Sequence, residues 1–122
     1  LSFVPDALEG RIKLRVEDLK PLKAVTKACI MFGSYITAKQ KPGDIDILFV
    51  LDKKSFNEFK QKLAKVRDIV PVKIQDIIQT EEDLQQNLKK GDVIVKEALQ
   101  KGIVLWGYGI IAGGVKNAAR QA

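Results

Sequence analysis

The stretch from Asp44 to Leu51 constrains the fold more than any other part of the 122-residue chain. It reads Asp-Ile-Asp-Ile-Leu-Phe-Val-Leu and is rich in β-branched and aromatic residues, as buried strands are. Because side chains alternate between the two faces of a strand, Asp44 and Asp46 project from the same face. The isoleucines and the phenylalanine project from the opposite face, which we expect to pack into a core covered by helices.

Apolar patterns elsewhere predict that strands alternate with helices. Compact apolar runs predict further strands at Ala28–Phe32, Ile69–Ile78 and Ile103–Trp106. Helical spacing and start signals predict helices at Glu17–Lys27, from Ser55, from Thr80 to Gly91, from Asp92 to Gly102 and in the tail from Ile110. The alternating residues Arg11–Val16 fit a short strand, with a helix as the alternative. This order indicates an α/β (α+β) fold in which helices pack on a small mixed β-sheet.

The helix predicted to start at Ser55 shows how such a helix should pack. Ser55 and Glu58 have the spacing of a capping box. Apolar residues recur at helical spacing and are predicted to form the inner face of this helix: Phe56, Phe59, Leu63 and Val66. No repeat, low-complexity segment or flexible linker interrupts the sequence, so we interpret residues 1–122 as a single domain.

The chemistry open to the chain is limited by its composition. Histidine is absent and Cys29 is the single cysteine, which excludes a disulfide within the chain and a zinc site of the Cys/His kind. Serine–histidine and cysteine–histidine nucleophile pairs are excluded for the same reason. Any catalysis must therefore use carboxylates, lysines, hydroxyls or a metal ion bound by oxygen.

The charge and the hydropathy of the chain bear on its partners and location. Lysine and arginine number 21 against 15 acidic residues, and the net charge of +6 favours nucleic acid or substrates that carry phosphates. The lysines are dispersed, so a solvated basic surface is the alternative. The sequence has no apolar run long enough to span a membrane and no basic stretch followed by an apolar core. We therefore expect a cytoplasmic protein without a membrane segment.

Asp44 and Asp46 form the first part of a candidate metal site. Two neighbouring carboxylates at the start of a buried strand repel each other and are costly to desolvate, and a bound divalent cation removes that cost. Oxygen ligands of this kind suit Mg²⁺, which commonly bridges substrate phosphates. The alternative is that both are exposed turn residues before the strand.

Gly33 and Ser34 form the second part, because they directly follow a predicted strand. Glycine lets the backbone approach a ligand closely, and backbone N–H groups with the Ser34 hydroxyl can hold phosphate oxygens. An ordinary turn is the alternative reading of the Gly-Ser pair alone. The combination of strand, Gly-Ser, short loop and Asp-x-Asp strand is much rarer than either part.

Phe32-Gly33-Ser34-Tyr35 followed by Asp44-Ile45-Asp46-Ile47 resembles the signature of the minimal nucleotidyltransferases of the DNA polymerase β superfamily. The resemblance continues through Gln79–Leu84 and Val95–Gly107, and so covers about Leu19–Gly107. It implies a nucleotidyltransferase-like fold and the transfer of a nucleoside monophosphate from a nucleoside triphosphate to a hydroxyl or phosphate acceptor on a protein, RNA or small molecule.

The roles of individual residues follow from this resemblance. Gly33 and Ser34 would hold the triphosphate of the substrate, with ATP as the expected donor. Asp44 and Asp46 would ligate Mg²⁺ or Mn²⁺. Two such metals about 3.5–4 Å apart can activate the attacking hydroxyl and stabilise the leaving pyrophosphate. Positioning and charge neutralisation then supply most of the rate acceleration.

The sequence departs from the family pattern in the basic residue and in the third acidic residue. The basic residue often found soon after Gly-Ser is missing, and Lys39 or Lys41 could contact the phosphates instead; exposed loop lysines are the alternative. The third acidic position falls on Gln75. Asp76 is the candidate third catalytic carboxylate, but it would face the opposite side of a regular strand unless a bulge rotates it.

These departures leave more than one functional interpretation open. The first is an active nucleotidyltransferase, and the second is a domain of the same fold that binds a nucleotide or a partner without turnover. A general nucleic-acid binder, driven by the net charge, is the third. The resemblance also implies a separate helical partner protein that supplies or forms the acceptor; a homodimer is the alternative.

Overall fold

The computed structural model describes residues 6–37 and 43–121. Its regular elements follow in the order α1 (Asp6–Leu19), β1 (Ala28–Phe32), β2 (Asp44–Val50), α2 (Phe56–Ile69), β3 (Lys73–Gln79), α3 (Glu81–Lys90), α4 (Val93–Lys101), β4 (Ile103–Trp106) and α5 (Tyr108–Gln121). Short 3₁₀ helices occupy Lys20–Val25, Gly33–Ile36 and Lys53–Ser55. The predicted alternation of strands and helices is therefore confirmed.

The strands form one four-stranded mixed sheet in the order β3-β2-β1-β4. Strand β1 pairs antiparallel with both of its neighbours, whereas β2 and β3 run parallel. The helix α2 provides the crossover that a parallel pair requires. Because β1 and β2 are central, their residues are buried almost throughout, as the long apolar run in β2 indicates.

Helices cover both faces of the sheet, and each face has its own apolar core. On one face, α1, the 3₁₀ helix Lys20–Val25 and α2 pack on the odd-numbered residues of β2, among them Ile45, Ile47 and Phe49. The ring of Phe49 meets that of Phe59 in α2 edge-on, with the centroids 4.9 Å apart. On the other face, residues from α3, α4 and α5 surround Leu48 and Val50. The odd-numbered and even-numbered side chains of β2 therefore lie in different cores, as the alternation of the strand predicts.

The ends of α3 and α4 are fixed by side-chain caps that the sequence predicts. Thr80 and Asp83 form a reciprocal capping box, with both hydrogen bonds at 3.0 Å. Gly91 ends α3 in the left-handed conformation, and Asp92 accepts a hydrogen bond from the backbone of Val95 to start α4. These local contacts reverse the chain between α3 and α4, so that α4 packs on the sheet.

Several sequence predictions on the α1–α2 side are wrong. Arg11–Val16 lies inside α1, so the strand is wrong and the helix given as the alternative is confirmed, because Leu8 and Ile12 pack inward at helical spacing while Leu14 is 62% exposed. The predicted helix Glu17–Lys27 instead comprises the end of α1 and the 3₁₀ helix, with Pro21 in its first turn.

The prediction for α2 is also wrong in part. Ser55 makes no side-chain hydrogen bond at the helix start, so the predicted capping box is absent. Phe56 is 40% exposed, although the other predicted inner residues of this helix are buried. The helix runs to Ile69, so the following strand begins at Lys73. Apolar residues at the junction fit either element, and the helical turn continues until Val70 breaks it.

The fold class is α/β, with a small mixed sheet and five α-helices in the described part of the chain, as the sequence predicts. None of the helices within residues 6–37 and 43–121 combines the length and apolar character that crossing a membrane requires.

Candidate active site

The two aspartates of β2 lie at the point where one face of the sheet changes from apolar to polar. Asp44 and Asp46 are half-buried, while Leu48 and Val50, which share their face, are fully buried. The helices α3, α4 and α5 thus cover this face at Leu48 and Val50 and leave it partly open at Asp44 and Asp46. Both carboxylates project from the same face, as the alternation of the strand predicts.

Gly33 is in direct contact with one of these carboxylates. The antiparallel register pairs Phe32 with Asp46, so the residue after Phe32 passes beside the Asp46 side chain. Gly33 has φ +79°, a conformation that other residues rarely adopt. A Cβ atom built on Gly33 would overlap the Asp46 carboxylate and lie 3.1 Å from its Cγ. Glycine is therefore required here for both its conformation and its lack of a side chain.

Gly33 is the first residue of the short 3₁₀ helix Gly33–Ile36. Ser34 is half-buried, and its carbonyl accepts hydrogen bonds from the backbone N–H of Thr37 at 3.1 Å and from the Thr37 hydroxyl at 2.7 Å. Tyr35 inserts into the core and is 4% exposed. The predicted phosphate contacts Lys39 and Lys41 lie outside the residues that the structure describes.

The strand β3 presents Gln75, not Asp76, to the aspartates. Its register against β2 is continuous and pairs Asp46 with Gln75, so the bulge required to rotate Asp76 is absent from β3. The Gln75 side-chain amide donates to Oδ2 of Asp44 at 3.3 Å. Asp76 points to the opposite face, where its Oδ1 lies 2.6 Å from Nη2 of Arg67 in α2. A catalytic role for Asp76 stays a prediction that this geometry does not support.

An open cleft of about 490 Å³ adjoins the aspartates. Its lining comes from the three strands' edge and from the start of α4: Phe32, Asp44, Asp46, Gln75, Asp76, Ile77, Val93, Ile94 and Glu97. Ser34 is not part of this lining. The sequence does not indicate Val93, Ile94 and Glu97 as site residues, because only the packing of α4 against β1 brings the first turns of this helix to the aspartates.

Burial raises the pKa of Asp46, and the negative charges of Asp44 and Glu97 add to this effect. Such repulsion is expected between neighbouring carboxylates that share one face of a strand. Within the described residues, no group of three acidic, cysteine or histidine side chains is arranged to hold a metal ion.

A second cleft, of about 480 Å³, lies at the other end of the parallel pair β2–β3. Its lining is mainly acidic and polar: Asp52, Lys53, Thr80, Glu81, Glu82 and Gln85. Lys27 already neutralises part of it, with its Nζ 2.5 Å from Glu81 and 3.3 Å from Asp52. One of its residues, Thr80, also caps α3, so this cleft is explained in part by the structure of the helix start. The Asp44–Asp46 cleft is therefore the better candidate site.

The model of the family of unknown function DUF6932 matches residues 7–108, and the chain belongs to this family. No curated protein sequence matches the chain. The matched range contains both aspartates, the Gly-Ser turn and all four strands.

Three solved structures resemble the chain at low sequence identity. A chain from tri-AMPylated Shewanella oneidensis HEPN toxin in complex with MNT antitoxin is 14% identical, with a TM-score of 0.51 over 93% of this chain and 88% of that one. A mutant of the toxin–antitoxin MntA-HpeT is 17% identical, with a TM-score of 0.48 over 91% and 88%. A toxin–antitoxin with AMP-PNP is 20% identical, with a TM-score of 0.49 over 93% and 88%. The first similarity supports the nucleotidyltransferase-like fold.

The contact between Gly33 and Asp46 can be tested by comparing two glycines that share a positive φ. Gly33→Ala and Gly91→Ala should each lower the free energy of unfolding by about 1 kcal/mol, because alanine is strained at this φ. Around Gly91 there is open space, so only Gly33→Ala displaces a carboxylate. We expect only Gly33→Ala to weaken Mn²⁺ binding, measured by electron paramagnetic resonance. Equal Mn²⁺ affinity in the two variants would contradict this account.

The raised pKa of Asp46 predicts a pH-dependent stability of the metal-free protein. Protonated Asp46 is favoured in the folded state, so its carboxylate destabilises the fold at neutral pH. This cost disappears as the pH falls below about 4, where the aspartate of the unfolded chain also becomes protonated. Asp46→Asn should therefore unfold at a higher temperature than the wild type at pH 7 in EDTA, and the difference should shrink toward pH 4.

Asp68→Asn, which neutralises an exposed aspartate of α2, is the matched control for this measurement. Its effect on the melting temperature should be smaller at pH 7. An Asp46→Asn variant that is less stable than the wild type at pH 7 would contradict the raised pKa of Asp46 and the cost of burying its carboxylate.

Proposed function

We propose that this member of the DUF6932 family is a Mg²⁺-dependent nucleotidyltransferase. It would move a nucleoside monophosphate from a nucleoside triphosphate, with ATP as the donor to test first, to a hydroxyl or phosphate acceptor. Residues 1–122 form one nucleotidyltransferase-like domain in this proposal, with its motif-bearing part at about Leu19–Gly107. The observation that carries it is the contact between Gly33 and Asp46, which joins the Gly-Ser turn to the acidic end of β2.

The two carboxylates at the start of β2 would be more favourable with Mg²⁺ between them than without a cation. Asp44 and Asp46 share a face, and repulsion between them contributes to the raised pKa of Asp46. A cation between them would remove this repulsion. Mg²⁺ commonly binds through one or two carboxylates together with substrate phosphates, which agrees with the lack of a third acidic ligand among the described residues. When bound, the metal would neutralise the phosphates and activate the acceptor oxygen.

The protein's own residues would bind and orient the triphosphate. Gly33 brings the backbone close to the Asp46 carboxylate, and the Ser34 hydroxyl is available as a donor on the same turn. Lys39 and Lys41, which precede β2 in the sequence, are proposed as further phosphate contacts. On the other side of the cleft, Glu97 faces the aspartates and would repel the phosphates, which favours substrate entry from the side of the Gly-Ser turn.

A separate protein is the acceptor to test first. In one structurally similar complex a HEPN toxin is tri-AMPylated and is bound to an MNT antitoxin. Val93 is 79% exposed and Ile94 is 52% exposed at the edge of the cleft, where an acceptor protein would meet them. A second copy of this chain or an RNA could also present a hydroxyl there, so the acceptor class is an outcome of the experiment.

Gln75 supports a second candidate function, a domain that binds nucleotide or a partner without turnover. Its amide occupies the place of the third carboxylate in the resembled family and donates to Asp44. A neutral amide cannot supply the charge that a second metal ion requires. Nucleotide would then bind at the Gly-Ser turn and persist without transfer.

Transfer can be measured with ATP labelled at the α-phosphate, Mg²⁺ and total cell extract. The wild type should label an acceptor, and treatment with protease or ribonuclease identifies the acceptor's class. Asp46→Asn should reduce the labelling about 100-fold, the usual size of losing one group that stabilises developing charge. Asp76→Asn should label within about twofold of the wild type, because Asp76 pairs with Arg67 on the other face.

The outcomes separate the two candidate functions. Binding of ATP by the wild type without labelling in any extract would support the non-catalytic domain. Labelling by Asp46→Asn at the wild-type rate would contradict both the metal site and the proposed reaction. A large loss in Asp76→Asn together with unchanged stability would assign the third catalytic carboxylate to Asp76.

A further inference from the structure

The turn that follows β1 carries Gly33 and Ser34, the proposed phosphate contacts, and it is short. It is a four-residue 3₁₀ helix, Gly33–Ile36, which starts at a glycine with φ +79°. Its own hydrogen bonds join Thr37 back to the Ser34 carbonyl. A short 3₁₀ helix has poor hydrogen-bond geometry, so such a turn needs outside contacts to hold one position.

Arg11 in α1 supplies these contacts from 24 and 26 residues away in sequence. Its Nη2 donates to the carbonyl of Tyr35 at 2.6 Å and to the carbonyl of Thr37 at 2.9 Å. The guanidinium carbon lies 4.7 Å from the centroid of the Tyr35 ring. The Arg11 side chain therefore binds the carbonyls of Tyr35 and Thr37. It also packs on the Tyr35 ring, which anchors the turn in the core.

The chemistry of these contacts is specific to arginine. A guanidinium is planar, stacks on aromatic rings and presents several donors in fixed directions, whereas a lysine ammonium is a flexible point charge. Because Tyr35 is 4% exposed and Arg11 is half-buried, the bond to the Tyr35 carbonyl and the ring contact are partly shielded from water, whereas the bond to the Thr37 carbonyl is exposed. Hydrogen bonds from a charged donor to carbonyls are strong in such surroundings.

We propose that Arg11 is a positioning residue for nucleotide binding. This proposal rests on the function proposed above. It fixes the Gly33–Thr37 segment relative to Asp46 through the Tyr35 and Thr37 carbonyls, so that the turn and the carboxylates hold the triphosphate together. It touches neither substrate nor metal itself. Losing it should therefore weaken nucleotide binding more than it slows the transfer step.

The test compares Arg11→Met, which keeps the length of the stem without donors, with Arg11→Lys and Lys13→Met. Lys13 lies on the same helix, is exposed and pairs with Glu9, so it controls for the loss of one cation from α1. Hydrogen exchange in nucleotide-free protein is the first readout. Arg11→Met should speed exchange of the amides in residues 33–37 about tenfold, a loss in the range expected for a hydrogen bond from a charged donor. The amides of β1 and β2 should exchange as in the wild type.

The second readout is nucleotide transfer by each variant. Arg11→Met should raise KM for ATP about tenfold and change kcat less than about twofold, which marks a loss of binding without loss of transition-state contacts. Arg11→Lys should fall between Arg11→Met and the wild type, and Lys13→Met should match the wild type in both readouts.

Two results would overturn the proposal for Arg11. One is unchanged exchange of residues 33–37 in Arg11→Met, and the other is equally faster exchange across the strands, which would indicate general destabilisation. A loosened turn with unchanged KM would overturn its role in binding. If the wild type itself neither binds nor transfers nucleotide, the proposed function fails, while the exchange experiment still decides whether Arg11 holds the turn.

Discussion

The close approach of Gly33 to the Asp46 carboxylate is the contact on which the site depends. It requires a residue without a side chain at a positive φ, directly after a buried strand and opposite an acidic residue in the register of the sheet. Each of these conditions is set by a different level of structure: residue type, turn conformation and strand pairing. Since the antiparallel pairing of β1 with β2 fixes the last of them, a shift of one residue would turn the aspartates into the core.

The two faces of β2 explain why such an acidic end is tolerated in a small sheet. On one face the strand is sealed by α1 and α2, and this packing stabilises the pairing on which the site relies. On the other face the helices cover Leu48 and Val50 but stop short of the aspartates. The carboxylates thus remain partly hydrated, yet they are buried enough for repulsion and desolvation to raise the pKa of Asp46. The partly exposed acidic end of β2 thus results from incomplete coverage of an otherwise apolar face.

The sequence predicts the parts of the fold and site that depend on local patterns. Strand alternation places Asp44 and Asp46 together, and the Thr80 capping box and the Gly91 end are visible in the residues themselves. What the sequence does not predict depends on contacts between distant segments. Arg11 belongs to an alternating pattern that fits a strand, yet it lies in a helix, and its bonds to Tyr35 and Thr37 have no local signal in the sequence. Glu97 reaches the aspartates only because α4 packs beside β1.

The most direct test of the central claim is a crystal structure with Mn²⁺ and an ATP analogue that carries a methylene bridge between its α- and β-phosphates. The account predicts anomalous density for Mn²⁺ bound by carboxylate oxygens of Asp44 and Asp46, with the triphosphate against Gly33 and Ser34. Metal and nucleotide bound elsewhere, for example in the cleft between Asp52 and Thr80, would contradict it.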